Sequence, residues 1–296
     1  MSKPTPLTVF DRRAGHTFQE FMDDSPATYE NHPSEARDQW LEAHPLYDWL
    51  VAMWQNTRWS ARKIEPFVRK HKIDMSEFEP GPFKSYAAFF DRRFLPRKRR
   101  FPVNPDNMGA FGEARYFGWA RLDPDMAFPV KGAALEPATL FGNKEAVAPF
   151  EGGPVILARL SPMDYHHLHF PDDGVIKDEA RLGHRLWTVN PPALRNQPDI
   201  LFRNERHIQW LQTEHFGLLA FVEVGALSVG RIVQVHPKDQ PFRKGAEKSV
   251  FKFGGSAVVL FGQKGAWAPS PDILTRTREG IETFIQLGDV IARNEA

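Results

Sequence analysis

Two short segments of this 296-residue chain concentrate side chains able to do chemistry. The first is Ser161-Pro162-Met163-Asp164-Tyr165-His166-His167-Leu168-His169-Phe170-Pro171, with three imidazoles in four positions. Extended backbone turns successive side chains to opposite faces, so a strand here sets His167 and His169 on one face and His166 on the other. Imidazole can ligate a metal, move protons or activate a nucleophile. No spaced His/Asp/Glu partner motif accompanies the segment, so no metal site is predicted. Taken alone, it reads equally well as packed or surface histidines without a role. The second segment is Phe251-Lys252-Phe253-Gly254-Gly255-Ser256-Ala257-Val258-Val259-Leu260-Phe261. Its Gly-Gly-Ser has an ordinary use as a tight turn or bulge. The alternative is a serine held on a strained turn beside a peptide carbonyl that it attacks. A hydroxyl is a poor nucleophile unless an adjacent base, typically a histidine oriented by a third group, takes its proton. The histidine segment offers that base. Glu113, in Phe111-Gly112-Glu113-Ala114-Arg115, offers a carboxylate, although by itself it reads as a surface acid.

The elements that must position these groups change in texture along the chain. Residues 1–33 are polar and read as a loose arm or short helices. Helical spacing follows over residues 34–42, 46–56, 60–71 and 83–94, with Ser60 as a cap and Pro66 kinking or starting its helix. From about Pro102 the pattern becomes short β-like runs, over residues 155–160, 167–170, 174–177, 185–189, 207–211, 218–224, 227–235, 250–253 and 257–261, broken by Gly, Pro, Asn and Asp. Residues 272–278 read as a short helix, and residues 283–287 lean towards strand. The fold class is therefore α+β: a helical N-terminal region over residues 1–100, then a β-rich sandwich or barrel-like core over residues 101–296.

Composition narrows the function classes. Hydrophobic residues make 42% and charged residues 25% of the chain, the balance of a globular protein with a sizeable core. A formal charge of +1 gives no global basic field, so no nucleic-acid partner is expected. The absence of cysteine excludes disulfides, thiolate metal sites and a cysteine nucleophile. Residues 1–15 lack an apolar signal core, and no run approaches the roughly 18 apolar residues of a spanning helix. A cytoplasmic protein is expected, with peripheral membrane contact and a homo-oligomer left open. The basic run Arg92, Arg93, Arg97, Lys98, Arg99 and Arg100 reads as a solvated helix end or as a patch for anionic surfaces. Trp40, Tyr47, Trp49, Trp54 and Trp59, near Arg58, Arg62 and Lys63, suit an interface, but ordinary packing is the favoured reading.

Several ordered motifs then carry a resemblance. Asp164-Tyr165-His166 through His169-Phe170-Pro171 and Gly174, Asn204-Glu205-Arg206, Gly217 with Val224-Gly225-Ala226 and Val229-Gly230, and Lys244-Gly245-Ala246-Glu247 before Phe251-Lys252-Phe253-Gly254-Gly255-Ser256 resemble the pyruvoyl-dependent phosphatidylserine decarboxylase family. Phe83-Lys84-Ser85-Tyr86 and Phe89-Phe90 with Arg92-Arg93 extend the likeness upstream, so that it runs from about Phe83 to Ile291. The resemblance implies a self-made covalent cofactor. Ser256 would attack Gly255, the chain would break between residues 255 and 256, and Ser256 would become a pyruvoyl group. A substrate amine would form a Schiff base with its ketone, which accepts electrons as carbon dioxide leaves. Carried over, His169 is the base for Ser256, Glu113 stands where the family has the aspartate of a P-A-D-G stretch, and His166 returns a proton to the product. His167 sits where the family commonly has arginine and receives no role. Ala257 stands where threonine or serine is usual. The substrate implied is a phospholipid, phosphatidylserine. A soluble aromatic amino acid, and a scaffold that no longer matures, are the alternatives.

Overall fold

The structure, a computed structural model, describes residues 7–20, 53–122, 128–130, 133–135, 137–183, 205–225, 231–252 and 256–295. The helix expected over residues 34–42, residues 46–52 of the helix expected over residues 46–56, and the strand expected over residues 185–189 lie outside the described residues. The strands are β1 (Leu7–Asp11), β2 (His16–Glu20), β3 (Asn107–Gly109), β4 (Ala114–Trp119), β5 (Phe128–Val130), β6 (Ala133–Leu135), β7 (Val155–Leu160), β8 (His167–His169), β9 (Gly174–Leu182), β10 (Arg206–Thr213), β11 (Leu218–Val224), β12 (Arg231–Gln234), β13 (Glu247–Lys252), β14 (Ser256–Gly262), β15 (Trp267–Pro269), β16 (Glu282–Ile285) and β17 (Val290–Asn294). The helices used below are α1 (Ile64–His71), α2 (Tyr86–Phe90), α3 (Pro137–Phe141) and α4 (Pro271–Arg278).

Among the described residues, nine strands form the main sheet in the order β2-β1-β16-β4-β7-β14-β11-β10-β9. Two three-stranded sheets, β12-β13-β8 and β15-β17-β3, contribute to the core on one of its faces, where Leu168, Ile232, Phe251 and Ile291 meet Ile156, Phe221, Val258 and Leu260. The other face packs Leu157, Val222, Val259 and Phe261 against Leu140 and Phe141 of α3 and against Phe150. The middle strand β14 thus feeds both cores alternately. That is why residues 257–261 read as one unbroken apolar run, the mark of a strand covered on both faces. The α+β class and the β-rich core are those expected from the sequence.

The N-terminal residues correct the expectation of a loose arm. Residues 7–20 form the hairpin β1–β2, and β1 pairs in parallel with β16. Arg12 fastens the hairpin turn, donating to Asp272 of α4 at 2.7 and 2.9 Å and to the Val290 carbonyl at 2.6 Å. Alternation was invisible here because β1 is only partly covered. Ser60 is not a cap either. α1 starts at Ile64, with Pro66 in its first turn, while Ser60 Oγ lies buried and accepts from the Tyr86 amide at 2.9 Å. Ser85 is the cap that appears, accepting from the Ala88 amide at 3.1 Å at the start of α2. Trp54 and Trp59 are exposed rather than packed, with Lys63 and Arg62 lying over their rings. The basic run divides: Arg92 is buried and Arg99 pairs with Glu77 and Glu113, whereas Arg93, paired with Glu247, and Arg97, Lys98 and Arg100 are exposed.

Candidate active site

Two registers bring the chemical segments to one place. Ser256, the first residue of β14, is the register partner of Leu160, the last residue of β7, and the histidine segment follows Leu160 directly. β13 pairs antiparallel with β8, placing Val250 opposite His167 and Glu247 opposite His169. The Phe251 amide also donates to the His166 carbonyl at 3.0 Å. Residues 253–255 therefore join a strand paired with the histidines to a strand paired with their entry.

The histidines alternate as the strand pattern predicts. Tyr165 stacks on His167 and His169, with ring centroids 4.7 and 5.9 Å away. His166 turns the other way, is fully buried, and packs on Phe90 at 4.0 Å. A carbonyl only accepts, so an imidazole nitrogen facing one must carry hydrogen. His166 Nδ1 donates in this way to the Asp164 carbonyl at 3.0 Å, and His169 Nδ1 to the Gly245 carbonyl at 2.8 Å. Burial holds His169 below the ordinary histidine range. It is a neutral ring whose Nε2 keeps its lone pair, 3.3 Å from the Tyr165 hydroxyl. Gly245 has φ +79°, which glycine adopts without strain, and a Cβ there would meet the Phe101 ring at 2.8 Å.

Glu113 is engaged elsewhere. Arg99 grips its carboxylate from Nε and Nη2 at 2.7 and 3.0 Å, and the Leu287 amide donates to it at 3.3 Å. The His169 Nδ1 position is occupied by the Gly245 carbonyl instead. In sequence Arg99 stands in a run of basic residues with no local sign of its claim on Glu113.

Beneath the histidines lies a buried charge network that sequence reasoning missed. Arg115 donates to Asp164 and, at 2.8 Å, to Glu20. Arg159 binds Glu282 at 2.7 and 2.9 Å and Glu20 at 3.1 and 3.4 Å, and Ser161 Oγ donates to Glu20 at 2.8 Å. Asp164 also accepts from the Ser161 amide at 2.6 Å, which fixes the turn leading to the histidines. Arg92 donates to the Met163 and Asp164 carbonyls at 2.5 and 3.0 Å. Burial pushes the Asp164 carboxyl up to about 6 despite Arg115. Burial alone would raise Glu20 too, but Arg115 and Arg159 outweigh it and hold Glu20 far below the usual carboxylate range. A cavity of about 450 Å³ opens beside these groups, lined among others by Phe78, Arg92, Glu113, Arg115, Asp164 and Tyr165.

A second buried set lies further along the same sheets. Lys248 donates to Glu223 at 2.8 Å and to Gln234 at 3.1 Å, Ser249 Oγ also donates to Glu223, and His207 Nδ1 is 3.3 Å from Glu223. Burial would raise Glu223, but Lys248 and His207 hold it down to about 2. Among the described residues no group of three or more His, Cys, Asp or Glu is arranged to hold a metal ion.

Comparison with known proteins gives this arrangement its class. The family model described as phosphatidylserine decarboxylase matches residues 86–291. A phosphatidylserine decarboxylase proenzyme of Ruminiclostridium cellulolyticum is 33% identical over 253 residues, covering 85% of this chain and 84% of the relative. A proenzyme of the same description from Desulfitobacterium hafniense (strain DSM 10664 / DCB-2) is 34% identical over 248 residues, covering 83% and 82%. One from Chlamydia pneumoniae is 32% identical over 257 residues, covering 86% and 85%. The chain belongs to the phosphatidylserine decarboxylase family, an enzyme family of carboxy-lyases.

Proposed function

We propose that this chain is a proenzyme that cleaves itself between Gly255 and Ser256 and then converts phosphatidylserine to phosphatidylethanolamine and carbon dioxide. The observation that carries the reading is the double register, β14 on β7 and β13 on β8, which flanks that bond with the histidine segment. Ser256 Oγ attacks the Gly255 carbonyl and the amide becomes an ester. His169, neutral and oriented by the Gly245 carbonyl, takes the hydroxyl proton at Nε2 and passes it to the departing nitrogen. Loss of the Ser256 Cα proton then breaks its Cβ–Oγ bond, leaving a carboxylate on Gly255 and a dehydroalanine at position 256. Water displaces the nitrogen as ammonia and leaves a pyruvoyl group.

The fit rests on the donor set: a serine opening a strand, a base-form imidazole in the segment that follows its register partner Leu160, and glycines before the scissile bond. Once formed, the group supplies an electron sink for the bond broken as carbon dioxide leaves. The chain's own later work is to exclude water and handle one proton. His166, fully buried against Phe90, is assigned to return that proton to the product carbon. Glu113 acts at a remove, fixing Arg99 and the Leu287 amide. Exposed Trp54 and Trp59, with Lys63 and Arg62 over their rings, support peripheral contact with the bilayer that holds the substrate.

Intact-mass measurement of freshly purified protein, with and without a carbonyl-trapping amine, tests the first half. The expected result is two pieces broken at 255/256, the piece beginning at position 256 carrying the trap. A folded chain that stays whole overturns the reading in favour of a scaffold. Assays on phosphatidylserine vesicles and on free aromatic amino acids test the second half, and turnover of the amino acid alone overturns the substrate assigned.

A further inference from the structure

Of the three histidines, His167 is the one held by carboxylates. It is fully buried. Its Nδ1 lies 2.7 Å from Glu247 Oε1 and its Nε2 lies 3.1 Å from Asp91 Oδ1. The second contact is too poorly aligned for a hydrogen bond, so charge sustains it. A neutral ring would turn a bare nitrogen lone pair towards one of two carboxylate oxygens, so the flanking charges favour the imidazolium. Each carboxylate has an outer cation as well. Arg93 binds Glu247 at 2.5 and 3.1 Å, and Lys252 binds Asp91 at 2.5 Å. Both outer cations are about half exposed, whereas the ring is shielded from water, so the ring is the strong inner rung of the ladder.

The ladder ties three elements together. Asp91 and Arg93 stand at the end of α2, His167 lies in β8, and Glu247 and Lys252 begin and end β13. β13 is the strand that runs into Gly255 and Ser256. Resting on the self-cleavage proposed above, we propose that the His167 imidazolium is a positioning residue that locks β13 against β8 and α2, and that self-cleavage has an alkaline limit where this charge is lost.

Burial pulls His167 down, but Asp91 and Glu247 outweigh it and hold the ring above the ordinary histidine range. The clamp is therefore complete at and below that range and is lost as pH rises through the raised value. His169, two residues on, moves the other way: burial, with the His167 charge assisting, keeps it below the ordinary range. The groups facing His167 are Asp91 from α2, Glu247 from β13, and Tyr165 and His169 from its own segment, with Arg93 and Lys252 behind the carboxylates. Asp91 and Glu247 are both held at about 2, and burial pushes Tyr165 above its ordinary range, so these three keep their charge states near neutrality. The two histidines bracket a window in which the base is neutral and the clamp is charged.

The test follows cleavage of newly translated precursor by intact mass from the acid to the alkaline side of neutrality. Wild type gives a bell. His167→Arg keeps a cation that does not titrate, so the alkaline limb vanishes and the acid limb stays. Glu247→Gln removes one supporting charge and moves the alkaline limb to lower pH. His167→Gln is slow throughout, by roughly 10²-fold, the scale of a misplacement of about 1 Å. Ser256→Ala versions of each are melted to check folding, and if His167→Gln fails to fold, the other two variants decide. An unchanged alkaline limb in His167→Arg, or wild-type rates in folded His167→Gln, overturns the proposal. Folded wild type that never cleaves at any pH overturns the self-cleavage reading itself, and the proposal with it.

Discussion

Glu20→Gln asks whether the N-terminal hairpin is an integral part of the catalytic body, although it precedes the residues matched by the family model. Glu20 is 4% exposed and accepts from Arg115, Arg159 and Ser161. The amide that replaces it has the same shape but no charge. Breaking a buried ion network by removing one partner costs about 3–5 kcal/mol. Here the low end applies, because Arg115 keeps Asp164 and Arg159 keeps Glu282. A loss of about 3 kcal/mol corresponds to a fall in Tm of roughly 6–12 °C at about 2–4 °C per kcal/mol. The assay is thermal melting on a Ser256→Ala background, so that parent and variant are each a single species. The gap should narrow on acidification. Glu20 is held far below the usual range, so its contribution is present above the ordinary carboxylate pKa and is lost as pH falls below it. A Tm within about 1 °C of the parent at neutral pH, the behaviour of an ordinary surface change, would refute the argument.

Four further outcomes are expected. Glu113→Gln should cleave within about tenfold of wild type by intact mass, since loss of a true triad acid costs about 10⁴-fold and Arg99 keeps Glu77. His169→Ala should leave one full-length chain, and normal cleavage would send the search to another base. His166→Ala should still cleave but lose about 10²–10⁴-fold in carbon dioxide release, the range of general acid catalysis. Lys248→Met, which takes the ammonium from the buried Glu223 carboxylate but leaves it Ser249, Gln234 and His207, should cost about 3 kcal/mol in urea unfolding, the low end for a broken buried pair, and the double variant with Glu223→Leu should recover most of it.

Legibility in the sequence followed how far each element advertises its burial. Residues 155–160 and 218–224 could be bounded from sequence because both of their faces are covered, so each opens with at least four consecutive apolar residues before Arg159 or Glu223. β4 was overlooked because Arg115 and Gly118 interrupt its pattern, although Arg115 is buried among carboxylates. β1 and β2 were overlooked because an edge hairpin need only cover one side. At the site, the alternation that sets His167 and His169 on one face and His166 on the other could be read directly. The partners of each ring could not be, because they come from Asp91, Gly245 and Glu247, far away in the chain. Paired charges look like solvated ones in a sequence. Arg92, Arg99 and Lys248 carry no local sign of being enclosed.

The place of β14 bears on what a chain break beside it would leave behind. The strand sits between β7 and β11, hydrogen-bonded along both edges, and β16 from the same C-terminal stretch is gripped between β1 and β4. A polypeptide starting at position 256 would thus be woven through the middle of the fabric at two separate points. Severing the thread frees a reactive terminus without freeing the fragment that bears it, so two chains would travel, denature and turn over as one molecule.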